Sequence, residues 1–388
     1  MLPDFNNTEI AFKYRSNPEM KRAAFLFSCL GSPALTGLGI KMTKAALSMQ
    51  LPIKGLIKKT LFKQFCGGET LAEAADTANR IGDYNVNTIL DYGVEGKESE
   101  EDFDKAVPEF IKAINYAASQ EHIPFISLKV TGFARFALLE KINSGTTLTQ
   151  NEELEWQRVH NRIDEICGAA HSKNIMVLID AEETWIVEGV NQLTERMMEK
   201  YNTKEAIIFN TYQMYCHGTL PYLIDNIKTA AAKAYILGAK LVRGAYMEKE
   251  RERAKIMGYA DPIQPNKAAT DRDYDEAAYV CLQNLDKLSL FLGTHNENSC
   301  LKVVNYMIDN NITPNTNRVY ISQLFGMSDN ISFNLAAQKF NVAKYLPYGP
   351  VKDVVPYLMR RAEENTSVAG QTSREMGLIE KENKRRGI

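Results

Sequence analysis

Val342-Ala-Lys-Tyr-Leu-Pro-Tyr-Gly-Pro-Val-Lys-Asp-Val-Val-Pro-Tyr-Leu-Met-Arg-Arg-Ala-Glu-Glu-Asn365 begins as an apolar run, breaks at Gly349-Pro350 and resumes with helical spacing. Its first residues, Val342–Tyr345, read as a buried strand, and the remainder as the helix that the strand feeds. At about 100° per residue, Tyr357, Arg360, Arg361 and Glu364 share an arc of about 100°, with Val355, Leu358, Met359 and Ala362 opposite. Asp353 as the N-cap would make Pro356 tolerable, because first-turn N–H groups have no intrahelical partner. Two adjacent guanidiniums repel each other and need a reason. Solvent is the ordinary one, with Arg360 and Glu364 as an i,i+4 pair. An anion gripped by bidentate hydrogen bonds is the functional one. The strands that precede the helix decide between them.

From about residue 85 onward, short apolar runs alternate with longer amphipathic ones. Buried strands are expected at Val86–Tyr92, Phe125–Val130, Ile175–Asp180, Ala206–Tyr212, Ala239–Gly244, Leu290–His295 and Val319–Gln323. Helical patterns fall near 101–120, 150–173, 183–201, 219–236, 272–287, 297–310 and 329–339. Eight strands each followed by a helix predict an α/β fold of the (βα)8 barrel type. The expected division is an N-terminal helical arm over 1–84, a catalytic barrel over 85–367 and a charged tail over 368–388. Met247–Asp271 reads as a long irregular connection and a candidate lid over the barrel mouth.

The 388 residues are 45% hydrophobic and 24% charged, ample for a large core. A net charge of −2 gives no general case for nucleic acid or an acidic membrane surface. The six cysteines show neither C-x-x-C pairing nor zinc-like spacing, so reduced thiols, no metal and a cytoplasmic setting are expected. The first residues carry acids and lack a secretory or basic transit pattern. Ala23–Ile40 is free of charge, but its Pro, Gly and Ser favour a helical hairpin over a membrane span. Leu51–Phe65, with lysines among its apolar residues, is expected as an amphipathic cover helix; peripheral contact with a membrane is its alternative.

In such a barrel, polar residues at the C-terminal ends of the strands converge on the active site. Those ends read Ser127-Leu-Lys129, Asp180-Ala-Glu-Glu183, Thr211-Tyr-Gln213, Lys240-Leu-Val-Arg-Gly-Ala-Tyr246, Gly293-Thr-His-Asn296, Ser322-Gln-Leu324 and Tyr345. Each alone has a bland reading as a solvated rim, a helix cap or a filler. Seven ends of eight are harder to assign to solvent. Lys129, Lys240, Arg243, Arg360 and Arg361 outnumber Asp180 and Glu364, which suits a ligand with several anionic groups. There is no Walker loop and no G-x-G-x-x-G, so a Rossmann mode of nucleotide binding is not indicated.

Tyr345-x-Pro-Tyr-Gly349, Pro356-Tyr-Leu-x-Arg-Arg-x-x-Glu-Asn365, Lys240-Leu-Val-Arg-Gly-Ala-Tyr246, Phe209-Asn-Thr-Tyr-Gln213, Asp180-Ala-Glu-Glu183 and Thr294-His-Asn296 together resemble the proline dehydrogenases. The resemblance spans 85–366 and reaches back to Gln64-Phe-Cys-Gly-Gly-Glu-Thr70. It implies FAD and a distorted TIM-type (βα)8 barrel whose last helix sits over the mouth. It also implies oxidation of L-proline to Δ1-pyrroline-5-carboxylate, with hydride passing to flavin and electrons to a membrane quinone. By that likeness Arg360 and Arg361 bind the proline carboxylate, with Lys129 as a third cation. Asp180, Leu324, Tyr345 and Tyr357 line the substrate pocket, and Tyr246 packs at the ring. On the cofactor side, Gln213, Lys240 and Val242 lie near the isoalloxazine and Arg243 near the pyrophosphate. Thr294, His295 and Asn296 reach the phosphates and the adenosine half. Glu364 braces the arginines or reaches the cofactor.

Lys240 stands where the bifunctional bacterial members have Arg, and Met247 where they have Trp, so flavin packing can differ. The chain ends soon after the arginine helix, which suggests a monofunctional member, and Tyr357 favours proline over hydroxyproline by analogy. Two other classes stay open on the residues alone: a Schiff-base aldolase using Lys129, and a barrel that only binds an anionic metabolite. Asp180, Tyr345 and water all remain candidates for deprotonating the proline amine.

Overall fold

A computed structural model of the chain describes residues 2–32, 37, 54–92, 98–351, 353–355, 357–359 and 371–388. Eight parallel strands close in chain order into a barrel. They are β1 Val86–Tyr92, β2 Phe125–Lys129, β3 Met176–Asp180, β4 Ile208–Gln213, β5 Leu237–Val242, β6 Leu288–Gly293, β7 Val319–Leu324 and β8 Val342–Tyr348. The (βα)8 expectation therefore holds, and all eight strands lie where the pattern placed them, with their ends moved by a few residues. Apolar periodicity locates a strand, whereas its last residue is settled by the neighbour's hydrogen bonds. At β8 this matters, because pairing with β1 continues to Tyr92↔Tyr348. Tyr345 is thus a mid-strand residue and not a strand end.

Among the described residues, the helical segments with given bounds before β1 are α1 Thr8–Phe12, α2 Asn17–Leu30, α3 over 54–65 and α4 Leu71–Gly82. The middle of α3 is a π-helical turn, Lys58–Phe62. Between the strands run α5 Glu100–Ala117, α6 Phe136–Asn143, α7 Gln150–Ser172, α8 Val187–Tyr201, α9 Thr219–Lys233, α10 Met247–Met257, α11 Lys267–Leu282, α12 Glu297–Asp309 and α13 Asp329–Ala337; α14 Gln371–Arg386 follows β8. The caps are written locally. In α7, Thr149 accepts from the Glu152 N–H, and the Glu152 carboxylate accepts from the Thr149 N–H.

The connection Met247–Asp271 is not irregular. Its first eleven residues, MEKERERAKIM, form α10, and α11 begins at Lys267. Nearly all of them are strong helix formers. Asp353 is likewise not an N-cap, since the helical residues begin at Val351 and Asp353 lies inside the first turn.

The chain divides into two compact units, one joining Met1–Gly93 to Gln323–Ile388, the other Val94–Ser322. Inside the second, Phe125 meets Phe209, Phe291 and Tyr320 edge to face, at 5.1 Å from Phe291 and 4.8 Å from Tyr320, while Phe291 and Tyr320 stack. Such rings make the barrel interior a packed core and not a pore. In the first, Phe12, Phe27, Phe62, Phe65, Val354 and Leu358 share a core with Leu378 and Ile379 of α14. The charged C-terminal segment therefore buries one face, and its Arg386 donates to the carbonyls of Phe12 and Arg15 at 2.7 Å each. Among the described residues no helix is long and apolar enough to cross a membrane.

Candidate active site

In the Val94–Ser322 unit the strand ends carry a connected polar belt. Lys129 and Asp180 are register partners at the ends of β2 and β3. Across β4, Lys240 Nζ forms an ion pair with Asp180 Oδ1, and the two side chains are only 8% and 13% exposed. Burial of two charges is costly, so the pair has to be held in good geometry. Thr211 on β4 donates to the Ile179 carbonyl at 2.7 Å, and Gln213 Nε2 donates to the Glu182 carbonyl at 2.7 Å. Glu182 in turn accepts from Thr131 Oγ1 at 2.8 Å. Lys129 and Tyr246 are half-buried.

A second cluster forms around Arg243. Its Nε donates to Asp271 at 2.7 Å, Nη1 to Thr294 Oγ1 at 2.7 Å and Nη2 to Ser299 Oγ at 3.0 Å. The guanidinium lies 4.1 Å from the centre of the Tyr274 ring. Gly244, next in sequence, has φ +127°, and a Cβ there would stand 2.4 Å from the Tyr215 ring. Only glycine fits that bend. Asn296 caps α12, accepting from the N–H groups of Asn298 at 2.9 Å and Ser299 at 3.2 Å. Thr294 is buried, and His295 and Asn296 are half-buried beside it.

The sequence reading missed several participants. Asp271 and Tyr274 sit one turn apart on α11, a spacing visible once 267–282 is recognised as a helix. Ser299 had no signal of its own. Glu250 of α10, fully buried, accepts from the Thr184 N–H at 2.7 Å and the Thr184 hydroxyl at 2.6 Å. Burial raises its carboxyl above the usual range. The helix misread as a loop thus anchors the chain that follows Asp180.

In the unit made of the two chain ends, Leu324 and Tyr345 are half-buried, and the Tyr345 carbonyl accepts from Phe325 N–H at 2.9 Å. Tyr357 is buried in the apolar cluster with Val355, Leu358 and Met359. The sequence placed it on the polar arc opposite those residues; neighbouring helices enclose more of the surface than one helical wheel can show. Arg360, Arg361 and Glu364 lie outside the described residues.

The chain is thus a closed parallel barrel with a buried lysine–aspartate pair and an arginine-centred hydroxyl cluster at its strand ends. Residues 74–374 match the family model for proline dehydrogenase. The chain is 34% identical over 372 residues to mitochondrial proline dehydrogenase 1 of Caenorhabditis elegans, covering 94% of this chain and 58% of that protein. It is 30% identical over 416 residues to hydroxyproline dehydrogenase of Xenopus laevis, covering 97% of this chain and 88% of that one. Among solved structures, proline utilization A of Bdellovibrio bacteriovorus, inactivated by N-propargylglycine, superposes with a TM-score of 0.72 at 18% identity. That likeness covers 94% of this chain and 37% of the other, and speaks for the fold alone. The chain belongs to the proline dehydrogenase family.

Proposed function

We propose that this protein is an FAD-dependent proline dehydrogenase, oxidising L-proline to Δ1-pyrroline-5-carboxylate and delivering the electrons to a quinone. The observation that carries the reading is the buried polar belt on β3 to β5 within a chain whose residues 74–374 match the family model. The residues suit the cofactor. Arg243, Thr294 and Ser299 stand at the N-terminal end of the thirteen-residue α12, where N–H groups and the helix dipole favour a pyrophosphate. Gln213 and Lys240 supply amide and ammonium donors from adjacent strands for the polar edge of an isoalloxazine, with Val242 beside them. When bound, FAD supplies the two-electron acceptor.

The chain's own contribution is position and charge. Arg360, Arg361 and Lys129 clamp the proline carboxylate, which fixes where the ring carbon to be oxidised lies. Asp180, Leu324, Tyr345, Tyr357 and Tyr246 shape the ring pocket, and by likeness to the family the Tyr357 phenol leaves little room for a ring hydroxyl. Forming the C5=N bond removes a hydride from C5 and a proton from the amine, which Asp180, Tyr345 or water accepts. His295 and Asn296 extend the phosphate end, and Glu364 braces the arginines. A cytoplasmic enzyme of this kind meets a membrane quinone peripherally.

The test is an anaerobic absorption spectrum of the FAD-loaded protein. L-Proline is expected to bleach the visible flavin band, and trans-4-hydroxyproline to do so far more weakly. A protein that binds no flavin, or stays oxidised with proline, sinks the reading. Borohydride trapping of a carbonyl substrate on Lys129 would point to the aldolase instead.

A further inference from the structure

Glu250 is a fully buried carboxylate that the proposed reaction does not use. Among the described residues it forms no ion pair, and both of its hydrogen-bond donors belong to Thr184. The Thr184 N–H meets Oε1 at 2.7 Å and the hydroxyl meets Oε2 at 2.6 Å. Burying a carboxylate to this depth is costly unless strong bonds compensate. Burial raises its pKa and the Thr184 bonds oppose that; of its charged neighbours, Glu183 adds to the rise and Lys249 works against it.

What the two bonds join supplies the reason for the cost. Thr184 opens the single helical turn Thr184–Ile186, so its N–H needs an acceptor from outside the turn. It also ends the segment Asp180-Ala-Glu-Glu-Thr184, which is pinned along its length. The Glu182 carbonyl accepts from Gln213 at 2.7 Å, the Glu182 carboxylate accepts from Thr131 at 2.8 Å, and Glu183 pairs with Lys249. On the other side, Glu250 lies one turn into α10, and its N–H donates to the Tyr246 carbonyl at 2.9 Å. Tyr246 is the cap from which α10 starts. The chain before it is fixed as well, since the Tyr215 N–H donates to the Arg243 carbonyl at 2.7 Å and the Tyr215 ring closes on Gly244. Glu250 thus ties the end of β3 to the helix that follows β5, across the end of β4 between them. Farther along α10, Arg253 stands 4.5 Å from the Trp185 ring and pairs with Glu140 of α6, so the helix is strapped to the rim at two more points.

We infer that Glu250 is a positioning residue for proline oxidation, setting the spacing between Tyr246 and Asp180, the ring-pocket residues that follow β5 and end β3. The inference rests on the reading of the pocket given above. Glu250 acts through the backbone of these two segments and not through the carboxylate clamp, which Arg360, Arg361 and Lys129 supply. Losing the tie shifts the walls against the ring and leaves the grip on the carboxylate. A small misplacement of a reacting ring is enough to slow its oxidation strongly.

The test is anaerobic stopped-flow reduction of the FAD-loaded full chain by L-proline, with inhibition by cyclopentanecarboxylate and by acetate measured alongside. Glu250→Ala leaves both Thr184 donors without their acceptor. It is expected to lower the limiting rate of flavin reduction about tenfold and to weaken cyclopentanecarboxylate about tenfold, with flavin content and acetate inhibition unchanged. Glu250→Gln keeps an oxygen for the N–H and an amide that can donate to the hydroxyl oxygen, so it should recover most of both losses. Thr184→Val removes one donor and should show the same pattern at about threefold, which serves if E250A does not fold. The role of Glu250 is overturned if E250A, or T184V in its place, reduces flavin at the unaltered rate. It is equally overturned if E250Q is no better than E250A, or if acetate and cyclopentanecarboxylate weaken in step, as a general loosening of the fold would cause. An unaltered chain that proline does not bleach sinks the proline reading itself; bleaching of the unaltered chain and the variants alike sinks only the role of Glu250.

Discussion

At the residue scale the buried Lys240–Asp180 pair is the group whose removal is most informative. Lys240→Met removes the ammonium that pairs with the Asp180 carboxylate, itself 13% exposed. Breaking a buried pair on one side costs roughly 3–5 kcal/mol, whereas removing both partners is often nearly neutral. K240M is therefore expected to lower the melting midpoint and the turnover together. The double variant with Asp180→Asn is expected to recover the midpoint but not the turnover. A K240M protein that melts with the unaltered chain removes the pair from the stability argument. Arg361 belongs to the same scale, although it lies outside the described residues. Arg361→Met should raise the proline KM about a hundredfold, equivalent to about 2.8 kcal/mol, with flavin retained. An unchanged KM removes it from carboxylate binding.

At the scale of elements, α14 and the N-terminal segment are tied to α13 and β8 by one buried ionic cluster. Asp329 accepts from Tyr14 at 2.8 Å and pairs with Arg15 and Lys344. Burial alone would raise its pKa, but the two cations win and hold it below the usual range. Glu375 of α14 behaves oppositely. Its Oε2 accepts from Ser328 N–H at 3.0 Å, yet burial and the nearby Asp329 raise its pKa from 4.5 to about 7, against Lys344 and Arg15. The unfolded chain gives up this proton near 4.5 and the folded chain keeps it until about 7, so stability falls as pH rises through that window. Glu375→Gln should remove that part of the fall, read as melting midpoint against pH. A variant whose profile parallels the original throughout would falsify this placement of the proton. Asp329 contributes in the other sense, its stabilisation being lost as pH drops through its depressed pKa.

At the scale of the whole molecule, the two ends of the chain are structural parts of one unit. Phe12 and Phe27 are each 1% exposed, as is Ile379 of α14. Deleting residues 371–388 uncovers that core and strips the carbonyls of Phe12 and Arg15 of the Arg386 guanidinium that donates to them. The truncated chain is expected to be insoluble or to bind a hydrophobic dye, and a soluble, cooperatively melting product would argue against it. The eight strands and their helices were legible in the residues because each is a local pattern of apolar spacing and caps. The strand-end polar residues followed from that pattern and from the barrel's geometry. Even α10 was legible, since its composition is that of a helix; its charge merely resembled a loop. Other features had no local signature. The bond from Arg15 to Asp329 joins residues 314 apart, and Arg243 finds Asp271, Thr294 and Ser299 on three later segments. The burial of Tyr357 and the proton on Glu375 depend on which helices lie against them. Spacing along a chain records what a segment prefers alone, whereas the partner and protonation state of a buried charge are set by groups that only folding brings within a few ångströms.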